Sequence, residues 1–246
     1  MTAGVPHRVT DRVVAGVDGC RGGWVAVRLA GDPPAFAGAL AAAGFAELLA
    51  RLGDAAVVAI DIPLGLAEAG WRAADTLARA ALGRAGASVF LIPPRPALEA
   101  ATHAEASALC SAQLGQGCSI QAWGLRRRIF EVEAARLAAP AGGPRLVEAH
   151  PELCLATMAG APLAWSKKTA RGHELRRALL AGQGIQLPAG PVEPGAKGVR
   201  VAPDDLADAA AAAWTAARVA AGRAEPLPDP PAPGADRHGW PIALWR

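Results

Sequence analysis

Acidic side chains recur in this chain at the ends of apolar runs, where a folded sheet would gather them. "VVAGVDGCRGGWVAV" (13–27) ends its first run on Asp18, and "AAVVAID" (55–61) ends another on Asp61. "PRLVEAHPE" (144–152) brings Glu148 and His150 to the end of a third, and "DDLADAAAAAWTAARVAAG" (204–222) places Asp205 and Asp208 at the start of a helical stretch. Their spacing of three puts both on one helix face. Carboxylates held together repel one another, and a hard divalent cation with oxygen ligands, Mg²⁺ or Mn²⁺, relieves the repulsion. Two such ions about 3.5–4 Å apart can activate water and stabilise the leaving oxygen of an in-line phosphodiester displacement. Asp18, Asp61, Asp205 and Asp208 are the metal ligands of this reading. Glu148 joins the catalytic set as a further carboxylate, and His150 as its proton carrier.

Basic residues suggest how a polyanion is held. Lys167 and Lys168 in "WSKKTARG" are candidates to meet a scissile phosphate, and Arg95 sits in the "PPRP" break. Arg126, Arg127 and Arg128 follow Trp123, and basic groups beside an aromatic ring suit backbone-tracking and base-stacking contacts to nucleic acid. Each residue also has a plainer role. An aspartate can end a hairpin or stabilise a helix start, for which Asp204 is best placed as the cap. Glu148 and His150 can form a buried hydrogen-bonded couple, and a lysine pair or a charged helix face can simply be solvated.

The elements that must position these groups follow from periodicity. "VVAGVD" and "WVAVRLA", split by a glycine turn, predict an antiparallel hairpin, and "AFAGALA" (35–41) a third strand. "GFAELLARLG" (44–53) has helical spacing and acts as a crossover to the fully apolar "AAVVAID". Residues 62–143 turn helical, with helices at 71–82, 97–115 and 120–139 that read as an insertion. A strand at 144–152, helices near 152–159 and 171–182, a proline- and glycine-rich loop (186–203) and the long helix at 204–222 complete the order. The expectation is an α/β fold, a mixed sheet of order β-β-β-α-β … β-α flanked by helices. It forms a single domain over 13–222, with tails at 1–12 and 223–246, the latter a proline-rich extended segment.

Composition narrows the class. A chain of 246 residues fits one large domain with an insertion. Aromatics are 4% with no tyrosine, so small-residue helix packing is expected in place of aromatic clusters. The net charge of +3 permits contact with polyanions without requiring it. Cys20, Cys110, Cys118 and Cys154 are scattered, with no C-x-x-C pair and no histidines at zinc spacing, which points to reduced thiols. The start, "MTAGVPHRVTDR", lacks a basic segment followed by an apolar stretch, and no run is long enough for a membrane span. A cytoplasmic, membrane-free protein is expected.

The series "GVDGCRGGWVAV", "AIDIPLGL", "SVFLIPPR", "SIQAWGL", "EAHPELC", "SKKTARG" and "DDLADAAAAAWTA" resembles the domain of unknown function 429 family, described as predicted RNase H-like nucleases. The resemblance runs from about residue 13 to 221. It implies an RNase H-like fold. By wider similarity to RuvC-type resolvases, it also implies carboxylates from the first strand, the fourth strand and the last helix, which here are Asp18, Asp61, Asp205 and Asp208. Resolvase-type enzymes usually present glutamate on the fourth strand, whereas this chain has the shorter Asp61 followed by Pro63.

The leading expectation is a divalent-metal-dependent nuclease acting on RNA, DNA, a hybrid or a junction. A second is an actin-like or sugar-kinase-related nucleotide-binding protein, with "VDGCRGG" cradling phosphates, although the chain holds one meander where such proteins duplicate it. A third is a non-catalytic module that docks nucleic acid or protein.

Overall fold

The computed structural model describes residues 12–188, 197–232 and 236–246. Arg12 is therefore the only described residue of the expected N-terminal tail, and part of the 186–203 loop lies outside the described residues. Strands β1 (Val14–Cys20), β2 (Gly23–Ala30) and β3 (Ala35–Ala42) form an antiparallel meander. A two-residue turn joins β1 to β2, and Gly22 takes the left-handed backbone (φ +83°) that such turns need. Helix α1 (Phe45–Arg51) crosses to β4 (Val57–Ile60), which pairs in parallel with β1 and with β5 (Arg145–Ala149).

Between β4 and β5 run α2 (Ala73–Leu82), a 3₁₀ turn (Gly83–Ser88), α3 (Arg95–Glu99), α4 (His103–Leu114), α5 (Ile120–Gly124) and α6 (Arg126–Ala138). The helix expected over 97–115 is thus two. Thr102 starts the second by accepting from Glu105 N at 3.2 Å, while Glu105 accepts from Thr102 N at 3.3 Å. After β5 come α7 (Pro151–Ala159), α8 (Ala170–Gly182) and α9 (Pro203–Ala220). The result is an α/β fold, a mixed sheet between helices, consistent with the RNase H-like description.

The segment beyond 222, expected to be a tail, instead adds β6 (Pro226–Ala232) and β7 (Ile242–Trp245), so the sheet runs β3-β2-β1-β4-β5-β7-β6. Proline obscured this in the sequence. β6 is the outermost strand, where a missing N–H leaves no ladder bond unmade. The short "IALW" run of β7 is parallel to β5, with Ile242, Ala243 and Leu244 buried.

Side-chain alternation divides the core. Val14, Val25, Val27, Val57, Ala59 and Val147 face α9, whose Ala209–Ala213 run is wholly buried. Alanine is needed because the helix lies directly on the strand: a Cβ on Gly16 would fall 2.0 Å from Ala213 N and 2.1 Å from Ala209 O. Ala15, Val17, Trp24, Ala26, Val58 and Ile60 face the opposite layer, which includes α1 and α6. Among the described residues, no helix is long and apolar enough to cross a membrane.

Candidate active site

β1 and β4 pair in register Val17↔Ile60, and Asp61 N donates to Val17 O at 2.9 Å. Asp18 and Asp61 therefore stand side by side at the carboxyl ends of adjacent parallel strands. Val14 and Ala59 face α9, and alternation carries Asp18 and Asp61 to that same face. Helix α9 supplies Asp208 there, buried at 3% exposure. Sheet ends of this kind are where α/β proteins place their ligands.

The electrostatics match this convergence. Burial, followed by the charges of Asp61, Asp208 and Asp205, pushes the Asp18 carboxyl well above its ordinary range, against a 2.7 Å hydrogen bond from Gly19 N. Burial lifts Asp61 to about 7; Glu152 adds to this and Lys167 opposes it. Burial also lifts Asp208 to about 6, even though Lys167 Nζ lies 2.6 Å from its Oδ2. Among the described residues neither Asp18 nor Asp61 has an ion-pair partner. The acids thus outnumber the one ammonium that reaches them.

Asp205 is divided between tasks. Its Oδ2 accepts from Ala202 N at 2.9 Å, so the capping hydrogen bond at the start of α9 comes from it, with Asp204 beside it in the first turn, yet its charge still bears on Asp18. Arg128 reaches the same corner from α6: Nη2 donates to Cys20 O at 2.7 Å, and the guanidinium lies so close to Gly19 that a Cβ there would fall 1.5 Å from Nη1.

A family model described as a protein of unknown function, DUF429, matches residues 16–233. The chain belongs to the DUF429 family. No curated protein and no solved structure matches it.

Several residues of this DUF429 chain stand elsewhere than the sequence suggested. Glu148 is level with Ile60 of β4, one residue out of phase with Asp61, so it points to the opposite face of the sheet. There Arg72 Nη2 meets both its oxygens, at 2.5 and 2.6 Å, and Leu64 N donates at 2.9 Å. Its oxygens are thus engaged on the sheet face opposite Asp61, although it borders, with Asp61, the cavity described next. His150 Nε2 bonds Ser88 O at 3.2 Å, and the ring lines a cavity of about 140 Å³ that also reaches Asp61. Burial lowers its pKa, which favours neutral imidazole.

Arg95, expected to contact substrate, is 1% exposed and clasped by Glu133 and Asp236, so no polyanion reaches it. Lys168 is exposed in the loop before α8, and its side chain engages none of the acids. Arg126 stacks on Trp123 at 3.4 Å, while Arg127 is exposed. Glu152, which the sequence reading passed over, enters through α7: it raises Asp61 and Asp208 while Arg176 holds its oxygens at 2.6 and 2.8 Å. "HPE" offered the signal, a helix-starting proline with an acid in the first turn.

Oxygen-only donors short of positive charge suit Mg²⁺ or Mn²⁺. Among the described residues, no three acidic, histidine or cysteine side chains are already drawn together as a coordination site. The ammonium of Lys167 is the cation that the group holds by itself.

Proposed function

We propose that this DUF429 protein is a divalent-metal-dependent phosphodiester hydrolase acting on nucleic acid. The observation that carries the reading is the register of β1 with β4, which sets Asp18 beside Asp61 under Asp208 with their protons held unusually tightly. A cluster that retains protons without a cation gains most from binding one. Asp18, Asp61 and Asp208 would hold Mg²⁺ or Mn²⁺, with Asp205 at the margin. The ion, when bound, supplies Lewis-acid polarisation of a phosphoryl oxygen and a lowered pKa for water.

The chain's own groups do the rest. Lys167, anchored to Asp208 on a loop and 42% exposed, is placed to meet a non-bridging phosphate oxygen. Arg128 adds positive charge beside the glycine turn, where the strand backbone runs close. Asp61, whose pKa is about 7 without a cation, would give up its proton on holding the ion.

The test is incubation of the protein with single-stranded, duplex, hybrid and junction substrates, with Mg²⁺, Mn²⁺ or a chelator, alongside Asp61→Asn. Cleavage that needs the metal and disappears in the variant supports the reading. A chelator-resistant activity, or full activity in Asp61→Asn, refutes it.

A further inference from the structure

Three buried arginines are matched to acids: Arg72 to Glu148, Arg95 to Glu133 and Asp236, and Arg176 to Glu152. Arg136, half-buried near the end of α6, is not. Among the described residues its side chain makes no hydrogen bond and no ion pair. Its guanidinium lies 3.8 Å over the Trp240 ring, and burial lowers its pKa. Asp236 acts on it only at a distance, since that carboxylate already accepts from His238 N, Leu66 N and Arg95.

Arg136 lines a cavity of about 340 Å³ at the seam between β5 and β7, whose pairing is confined to Glu148↔Leu244 and Ala149↔Trp245. Arg145 lines the same cavity, its guanidinium 4.9 Å over the Trp245 ring, and its side chain likewise makes no hydrogen bond or ion pair among the described residues. Leu49, Leu64 and Pro241 give the cavity apolar walls. Glu148 also borders it, but its oxygens are taken by Arg72 and Leu64 N.

Two arginines without anions border, beside apolar wall, a space at the lower end of ligand-pocket volumes (about 300–1,000 Å³), and they define what fits. We propose that this cavity binds a phosphate monoester carrying a ring, of mononucleotide size. Arg136 and Arg145 hold the phosphate, and the apolar wall holds the ring. A phosphate monoester carries about −1.5 to −2 charge at neutral pH, which two guanidinium forks match. The site shares no residue with the Asp18–Asp61–Asp208 group and does not depend on the hydrolase reading.

Calorimetric titration of the full chain with adenosine 5′-monophosphate tests the proposal, with adenosine and inorganic phosphate as separate arms. The monophosphate should bind, each half alone should bind at least about tenfold more weakly, and Arg136→Gln should weaken the monophosphate at least about tenfold, as loss of a charge-assisted contact does. Arg136→Lys should retain part of the affinity. Arg136→Gln also loses the contact with the Trp240 ring, so both proteins are titrated well below their melting temperatures. Absence of binding by the parent, unchanged affinity in Arg136→Gln, or adenosine binding as tightly as its monophosphate overturns the proposal. Loss of the binding in Asp18→Asn also overturns it, by moving the ligand to the carboxylate cleft.

Discussion

Lys167 Nζ stands 2.6 Å from Asp208 Oδ2, and its charge also favours the ionised form of Asp61, on another element of the fold. One ammonium from a loop thus serves carboxylates contributed by a helix and a strand. It occupies the electrostatic place that a divalent cation would take. Replacing it by Gln should raise Asp208 above about 6 and Asp61 above about 7. At a pH high enough to ionise both in the variant, it should bind Mg²⁺ severalfold more tightly than the parent, because a rival cation is gone. Calorimetry on Lys167→Gln checks this, and weaker Mg²⁺ binding would show that lysine and metal do not compete for the same oxygens.

The pH dependence of stability should run opposite to that of a salt-bridged protein. Asp61 titrates at about 7 and Asp208 at about 6 in the folded chain, against an ordinary value of 3.8. Between about pH 4 and 7 the folded state therefore binds more protons than the unfolded one, and stability is lost as pH rises through that window. Glu148, lifted to about 7 chiefly by burial, contributes with the same sign, while His150, whose pKa burial lowers from 6.5, opposes them in the acid part of the window. Melting without divalent ions should fall on the order of 5 °C from pH 5 to pH 8, and Asp61→Asn should flatten part of the slope. A parent profile that climbs over this range would contradict the pKa directions.

Asp18→Asn should separate stability from function. The neutral amide removes a carboxylate that burial and three neighbouring acids disfavour, so at pH 8 in a chelator the variant should be as stable as the parent or more so. Its stabilisation by Mg²⁺ should vanish and its cleavage fall by roughly a hundredfold or more, as expected when a ligand to a catalytic ion is lost. Thermal melts with and without Mg²⁺, beside a cleavage assay, measure both. Undiminished Mg²⁺ stabilisation would remove Asp18 from the metal set.

What the sequence disclosed and what it hid divide along physical lines. The positions of Asp18, Asp61 and Asp208 are legible because short apolar runs end on the first two and an alanine-rich helix begins around the third, and both patterns are local. The side of the sheet that Glu148 takes could not be read, since it depends on its register against Ile60, a relation between strands distant in the chain. The burial of Arg95 is hidden for a related reason: its carboxylates, Glu133 and Asp236, lie 38 and 141 residues away. β6 was hidden by prolines that only an edge strand tolerates, and β7 by its four-residue length.

Glu148 should behave as a structural anion. Glu148→Ala leaves Arg72, wholly buried, without its main partner and with Asp75 at 3.6 Å as the remaining acid. Breaking a buried pair by removing one partner costs about 3–5 kcal/mol. Urea unfolding of Glu148→Ala should register a loss of that size, whereas Asp18→Asn should not. A stable Glu148→Ala that selectively lost cleavage would return this residue to the active site.

The contact between β1 and α9 sets the position of Asp208 as well as the core. A Cβ on Gly16 would fall 2.0 Å from Ala213 N and 2.1 Å from Ala209 O, both backbone atoms of the helix that carries Asp208 one position earlier. No rotamer change relieves a clash with backbone, so Gly16→Ala must push α9 away from the sheet, at a cost of about 1–3 kcal/mol or more. The same displacement draws Asp208 away from Asp18, and the mutual charge that holds protons on Asp18 weakens. Gly16→Ala should therefore lower the Asp18 pKa, measured by carboxyl carbon NMR, and weaken Mg²⁺ binding although it alters no acid. A variant that folds with α9 displaced yet keeps both properties would show that close helix–strand contact is not what assembles the carboxylates.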